Sequence, residues 1–386
     1  TSNRMENLVS SLAGVLKEPL AYPLASEVIV VQSKGMQRWV AMELAKHFGV
    51  WANGHYPFPN SMVGWLFGLI LPDIPNAALF SREVMSWKII GLLPGFLGRD
   101  EFIPLRHYLA EDKDGLKRFQ LAERIADTFD QYTIFRPEML KEWEASRGTD
   151  DENDWQAILW REIVTGTKGC HRGQLKEEFC RHMIKGKSVS GKMPERISVF
   201  GISYLPRYHM EILTAILRVT EVNLFLLSPT REYWSDIMSR REKARLTNAK
   251  SALRIEGNPL LASLGKLGRD FSDMVIEIGD VAAEQKDQYE DPAGISLLNS
   301  IQSDILNLSG AEAGIEKQSI DDDDLSVQIH SCHSPMREIE VLYDNILALL
   351  ETIDGLSPRD SVVMTPDIES YAPYISAVFD GCQDAS

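Results

Sequence analysis

Positive charge is scarce in this 386-residue sequence: 40 lysines and arginines stand against 56 aspartates and glutamates, a formal net charge of −16. Non-specific coating of duplex DNA rests on clustered Lys and Arg that neutralise phosphates, so the charge argues against that class. Cysteine is nearly absent. Four residues (Cys170, Cys180, Cys332, Cys382) at irregular spacing make no disulfide framework and suit the reduced thiols of a cytosolic protein. Long apolar runs are missing: Met62 to Leu71, the longest candidate, is short, holds two glycines and falls well below the ~18 residues of a membrane span. The opening TSNRMENL has no apolar block of the secretory kind. No Gly-x-Ser-x-Gly elbow and no His-Glu-x-x-His pair occurs.

What is present is a globular composition, 44% hydrophobic and 25% charged, long enough for two or three domains. The sequence begins at Thr1 and stops at GCQDAS soon after a strand–helix pattern, and so reads as a piece of something longer. Charge is uneven: residues 161–196 hold nine basic and four acidic residues, and 231–254 hold seven and three. Basic islands on an acidic chain suit a strand-bearing channel as well as solvated helix faces.

The stretch SEVIVVQSKGMQRWVAMEL (26–44) reads as a strand, Val28 to Val31, turning through Gln32-Ser33-Lys34-Gly35 into a helix with Met36, Trp39, Val40 and Leu44 at helical spacing. From about 73 to 190 helical periodicity dominates; RFQLAERIADTFDQYTIF sets Phe119, Ala122, Ile125, Ala126, Phe129 and Tyr132 on one face. Then RISVFGIS, PRYHMEILTAILRV (Met210, Leu213, Ile216 and Leu217 inward) and EVNLFLLS form a strand–helix–strand unit, hence a parallel sheet. The acidic SGAEAGIEKQSIDDDD (309–324) reads as a linker. LSVQIHSC and DSVVMT are expected strands beyond it, with Ser334 capping and Pro335 opening the intervening helix, and Pro373 interrupting a final one.

A strand meeting a helix through a glycine-containing turn is architecture for phosphates, yet the residues for phosphates are missing. A P-loop needs Gly-x4-Gly-Lys-Ser/Thr, so that amides wrap the phosphates, Lys reaches them and the hydroxyl holds magnesium. Gly186-Lys187-Ser188 has Arg181 in place of the first glycine; Gly265-Lys266-Leu267 lacks the hydroxyl and has Leu260 upstream. Glu111-Asp112-Lys113 and Glu284-Gln285-Lys286 carry the letters of a nuclease Glu-x-Lys without flanking strand residues. His330, Cys332 and His333, and Cys170-His171 with Cys180 and His182, lack Cys-x2-Cys pairing, which favours packing over metal binding. The eight tryptophans lie mostly in amphipathic stretches and read as core.

Nine segments carry a resemblance: SNRMENL, VQSKGMQRWV, MSWKIIGLLP, LRHYL, ADTFDQY with FRP, FGISYLP, GNPLLASLGKLGRD, IQSDIL and CHSPMREIEVLYDNI. In that order they closely resemble the RecC family, the gamma subunit of exodeoxyribonuclease V, over essentially the whole chain. The resemblance implies an α/β fold of inactive superfamily 1 helicase-like (P-loop NTPase-like) parallel-sheet domains. Residues 1–72 plus 195–310 would be domain 1A, 73–194 a helical insertion (1B), 311–324 a linker and 325–386 the start of 2A. TSNRMENL stands where the family's motors carry the P-loop.

It also implies a non-catalytic scaffold that binds RecB and RecD in the cytoplasm, splits DNA ends, channels single strands and recognises Chi. This chain would hold no cofactor; ATP and Mg2+ would act through the partner subunits. Gln32, Asp127, Asp130, Gln131 and Arg136 keep the family's residue types in channel-lining segments. Lys34 and Arg38 stand where the best-known member has uncharged polar residues, Phe58 replaces Leu, and Gly64 falls where Trp is expected, beside Trp65. Two other classes compete: an active helicase or nuclease in its own right, and an interaction scaffold that reads no sequence.

Overall fold

The computed structural model describes residues 1–22, 24–71, 77–145, 154–167, 169–185, 191–237, 257–279, 284–310 and 319–381. Gly186, Lys187 and Ser188, the first part of the acidic linker, and Cys382 lie outside them.

Four parallel strands form one sheet in the order β2-β1-β3-β4: β1 (Glu27–Val30), β2 (Gly54–His55), β3 (Arg196–Phe200) and β4 (Glu221–Phe225). Helices α1 (Met5–Leu16), α2 (Lys34–Phe48) and α3 (Pro59–Ile70) accompany the first two strands. Next come α4 (Arg82–Phe96), α5 (Ile103–Leu109), α6 (Leu116–Phe135), α7 (Pro137–Ala145), α8 (Trp155–Thr165) and α9 (Arg172–Lys185). Among the described residues of 73–194 no strand occurs. Helix α10 (Arg207–Ile216) joins β3 to β4, and α11 (Pro259–Leu264), α12 (Lys266–Gly279) and α13 (Leu297–Leu306) follow.

The apolar run of β1 is continuous because both faces of the sheet are covered. Val28, Val30, Ile197 and Val199 face a core shared with α3, α9 and α10. Ile29, Val31 and Phe200 face α1 and α2 through Leu8, Leu12, Val40 and Leu44. Arg196 opens β3 almost fully buried, ion-paired to Glu27 and donating to Val15 O (3.1 Å) and Glu18 O (3.0 Å), so it also satisfies the end of α1. At the other end of β3, Gly201 takes φ +62°, and a Cβ there would lie 2.7 Å from Met5 Cε. Only glycine fits that exit without strain.

The helical stretch does not pack as one body. Residues between Phe80 and Ile163 make their own core around Trp160, Phe102, Phe129, Met85 and Ile89, whereas Leu175, Phe179 and Met183 of α9 join the sheet core. Within α6 the expected face is buried at Ala122, Ile125, Ala126 and Phe129, but Phe119 is exposed beside Trp87 (ring centroids 6.0 Å apart). Leu217, expected inward, also surfaces: it follows Ile216, the last residue of α10, in helical conformation but past the end of the packed face. Trp87, 67% exposed, is the departure from the reading of tryptophans as core.

Chain packing divides the molecule into one unit of residues 1–292 with 302–315 and a second of 293–301 with 316–386. In the second, Ser334 caps α14 (Pro335–Thr352) by accepting from Arg337 N (3.3 Å), and α15 (Ile368–Phe379) continues through Pro373. The strands expected in LSVQIHSC and DSVVMT do not form. Leu325, Ile329, Val362 and Met364 are all highly exposed, and no described strand lies beside them. Alternation supplies the side chains of a strand, but a strand needs a partner for its backbone groups.

Candidate nucleic-acid interface

The strands point one way, so the loops leaving β1, β2 and β3 gather at one edge of the sheet. Strand order reverses between β1 and β3, the place where open α/β sheets hold ligands. Gln32 leaves β1 exposed, and Ser33 Oγ accepts from Met36 N (3.1 Å) to cap α2. Lys34 and Arg38 stand exposed on the first two turns of that helix, which has no acidic residue in its first turn. Phe58 is the residue before α3 and is 36% exposed. Gly64 faces open space, whereas Trp65 is half-buried against the sheet core and edge-on to His55 (5.3 Å). Adjacent helix positions differ by about 100°, so Trp65 cannot stand in for an outward Trp at 64.

The second group lies on α6. Asp127 accepts from Gln131 Nε2 (3.0 Å) and pairs with Arg82 of α4 (3.7 Å). Asp130, one turn on, pairs with Arg172 of α9 (3.6 Å). Burial raises the Asp130 pKa, Arg172 opposes this, and the nearby Asp127 carboxylate adds to the rise. Arg136 ends the helix, exposed, with its guanidinium over the Tyr132 ring (5.9 Å).

Among the described residues no hydrogen bond or ion pair joins Gln32, Lys34, Arg38 and Phe58 directly to the α6 group. Asn60, in the first turn of α3, meets His209 Nε2 of α10 at 3.0 Å. Burial, with the Arg172 charge, pushes His209 down to about 4. Its Nδ1 and the hydroxyl of neighbouring Tyr208 are buried without a partner, and burial raises the Tyr208 pKa. Asn60, Arg82 and His209 carry no motif. They meet only because α3, α4, α6, α9 and α10 pack together, so sequence reasoning had no signal for them.

The remaining chemical candidates resolve into structure. Asp112 accepts from Lys117 N (3.1 Å) and Arg118 N (3.0 Å), capping α6, and Glu111 pairs with Lys117 (3.8 Å). Glu284 pairs with Lys286 (3.3 Å). His171 is buried: Gly173 N donates to its Nδ1 (3.2 Å), which leaves Nε2–H to donate to Glu144 (2.9 Å). His182 Nδ1 sits against Glu178 O (2.9 Å), apart from that network. His330 and Cys332 border an open groove with Glu338 and Val341. Among the described residues no group of three or more His, Cys, Asp or Glu could hold a metal. Gly265 and Gly268 cradle Trp234: a Cβ would come within 2.7 Å and 2.9 Å of its ring. Asn258 caps α11, and Arg269 Nη1 donates to Leu261 O (3.1 Å) and Ala262 O (3.0 Å) at its end.

The family model described as RecC, N-terminal domain, matches residues 1–308. The chain is 37% identical to the RecBCD enzyme subunit RecC of Escherichia coli K12, over 98% of the chain and 37% of that protein. Identity is 34% to the subunit of Haemophilus influenzae and 31% to that of Mycolicibacterium smegmatis, over 98% of the chain and 39% and 34% of those proteins. The chain thus spans little more than a third of the length of these relatives. On the length and strength of these matches, the chain belongs to the RecC family.

Proposed function

We propose that this chain is the N-terminal part of a non-catalytic subunit that handles single strands for a RecBCD-type helicase–nuclease in recombinational break repair. In this reading 1–72 with 195–310 is an inactive helicase-like domain 1A, 73–194 its insertion, 311–324 a linker and 325–386 the start of 2A. The subunit holds RecB and RecD, which supply ATP and Mg2+ chemistry, works in the cytoplasm on duplex ends, and reads Chi in a channel.

One observation carries the reading of bases. Two half-buried carboxylates, Asp127 and Asp130, lie one turn apart on α6, each paired with an arginine from a different helix. Free carboxylates repel phosphate, whereas a positioned one accepts from an exocyclic amine at a base edge. Gln131 and Arg136 add donors along the same helix, and Lys34 and Arg38 supply exposed charge for phosphates. Gln32 and Phe58, from the sheet edge, supply an amide and an aromatic face on which a base can stack.

The test is reconstitution. The full-length protein alone should neither hydrolyse ATP nor cut DNA. Its complex with RecB- and RecD-type partners should unwind duplex ends and alter cleavage after a particular sequence. ATP hydrolysis or cleavage by the subunit alone would favour an enzyme; unwinding with no sequence response would favour a scaffold.

A further inference from the structure

Among the described residues Trp87 of α4 is the one exposed tryptophan. It is 67% exposed and lies against Phe119 of α6, itself 36% exposed, with ring centroids 6.0 Å apart. A single surface leucine is ordinary, but two large aromatic rings held together in water form an apolar patch that asks for a cover.

The packing of the two helices fixes what surrounds the rings. Phe119, Glu123 and Asp127 follow at intervals of four residues and so form one ridge of α6. At one end of that ridge Phe119 meets Trp87; at the other Asp127 pairs with Arg82 (3.7 Å). Glu123, between them, is therefore turned toward α4 as well. On α4, Glu83 precedes Trp87 by one turn, on the same side of the helix. Both glutamates are exposed, and among the described residues neither carboxylate has a hydrogen-bond or ion-pair partner. The nearest cations in sequence are turned elsewhere. Arg82 pairs with Asp127, Lys88 donates to Leu79 O (3.2 Å) and Thr167 Oγ1 (2.7 Å), and Arg124 lies about 100° farther round α6. The aromatic pair thus stands beside two unneutralised carboxylates.

We propose that this α4–α6 rim is a docking surface for an arginine carried by another polypeptide, whose guanidinium stacks on the Trp87 indole while Glu83 and Glu123 accept from it. Charge decides the class of partner. An indole face attracts a cation, and arginine suits it better than lysine because its planar, weakly hydrated group stacks as well as pairs. A nucleic-acid strand could stack on the same rings, but its phosphates would meet the two carboxylates. Phe119, tilted 60° to the indole, steadies that ring and so lowers the entropy lost on docking. The inference does not depend on Asp127 or Asp130 reading bases.

The test uses the full-length protein labelled with fluorotryptophan, the Trp87 fluorine resonance being identified by its loss in Trp87→Phe. A short peptide bearing two arginines in an alanine background should shift that resonance saturably. The same peptide with citrulline, which keeps the shape and lacks the charge, should not. Glu83→Gln combined with Glu123→Gln should weaken binding of the arginine peptide by about threefold to tenfold. These side chains are exposed, so the substitutions open no cavity. Equal responses to the two peptides, or an affinity unchanged in the Gln variant, would overturn the proposal. So would no response at all, the mark of a rim covered by the protein's own chain. A shift with protein concentration alone would overturn it in favour of a second copy, and tighter saturable binding of oligothymidylate in favour of a nucleic-acid platform.

Discussion

His209 makes the packing beneath the candidate interface pH-sensitive in a calculable way. It is 3% exposed, faces Asn60, and its pKa falls from 6.5 to about 4 through burial and the Arg172 charge. Below pH 6.5 the unfolded chain takes up a proton that the folded chain refuses until about pH 4. Stability from this group is therefore full above 6.5 and is lost as pH falls through that window. At pH 5 the difference amounts to roughly 1.5 logarithmic units, or about 2 kcal/mol. Asp130 acts oppositely: its raised pKa adds stability below the ordinary carboxylate value and withdraws it as pH rises. A single pH profile therefore mixes both. The difference between wild type and His209→Gln isolates the imidazole, because Gln does not titrate. Denaturant unfolding at pH 8, 6 and 5 should show wild type losing about 2 kcal/mol more than the variant between pH 8 and 5. Parallel profiles would refute the assignment of a buried, neutral His209.

Three further outcomes follow. Glu144 accepts from Trp160 Nε1 (3.0 Å), His171 (2.9 Å) and Gln174 (3.1 Å); burial raises its pKa, but these bonds outweigh it and hold the value low. Glu144→Ala, which strands those donors, should cost about 2–3 kcal/mol in denaturant unfolding, and wild-type stability from this group should fade as pH drops through the carboxylate range. Gly268→Ala pushes a methyl group against Trp234 and should cost about 1–3 kcal/mol in the same assay, whereas Gly91→Ala, with open space around it, should be neutral or stabilising. The chain should show no saturable ATP-dependent thermal stabilisation, and Lys34→Ala should leave that result unchanged; an ATP response abolished by Lys34→Ala would contradict it.

The parts of the fold legible in the sequence were those whose physics is local. β1 and α2 followed from an apolar run and the helical spacing after the turn, α6 from its stripe, and α14 from Ser334-Pro335. The failures share a cause. Leu325 to Ile329 and Val362 to Met364 have strand-like side chains, but a strand exists only where another strand pairs with it. Phe119 and Leu217 obey helical spacing and still surface, because they sit where the packed face ends. At the candidate interface, resemblance supplied Asp127 and Asp130. Their partners Arg82 and Arg172 are about 40 residues away in sequence, and the Asn60–His209 link spans still more, so only tertiary packing reveals them. The carboxylates that resemblance placed in the channel prove to be arginine-paired, a feature the sequence did not signal.

The central claim is that these carboxylates specify sequence while nearby cations position the strand. Its most direct measurement compares the full-length protein bearing Asp127→Ala, Asp130→Ala or Arg38→Ala, each reconstituted with RecB- and RecD-type partners, for unwinding rate and for the change in cleavage at Chi. Each Asp variant should unwind near the wild-type rate and lose roughly 1–3 kcal/mol of discrimination at Chi. Arg38→Ala, which removes an exposed cation of α2 that pairs with neither carboxylate, should weaken binding to all sequences and flatten its salt dependence. An unchanged Chi response in both Asp variants, or unwinding abolished by either one, would contradict the account.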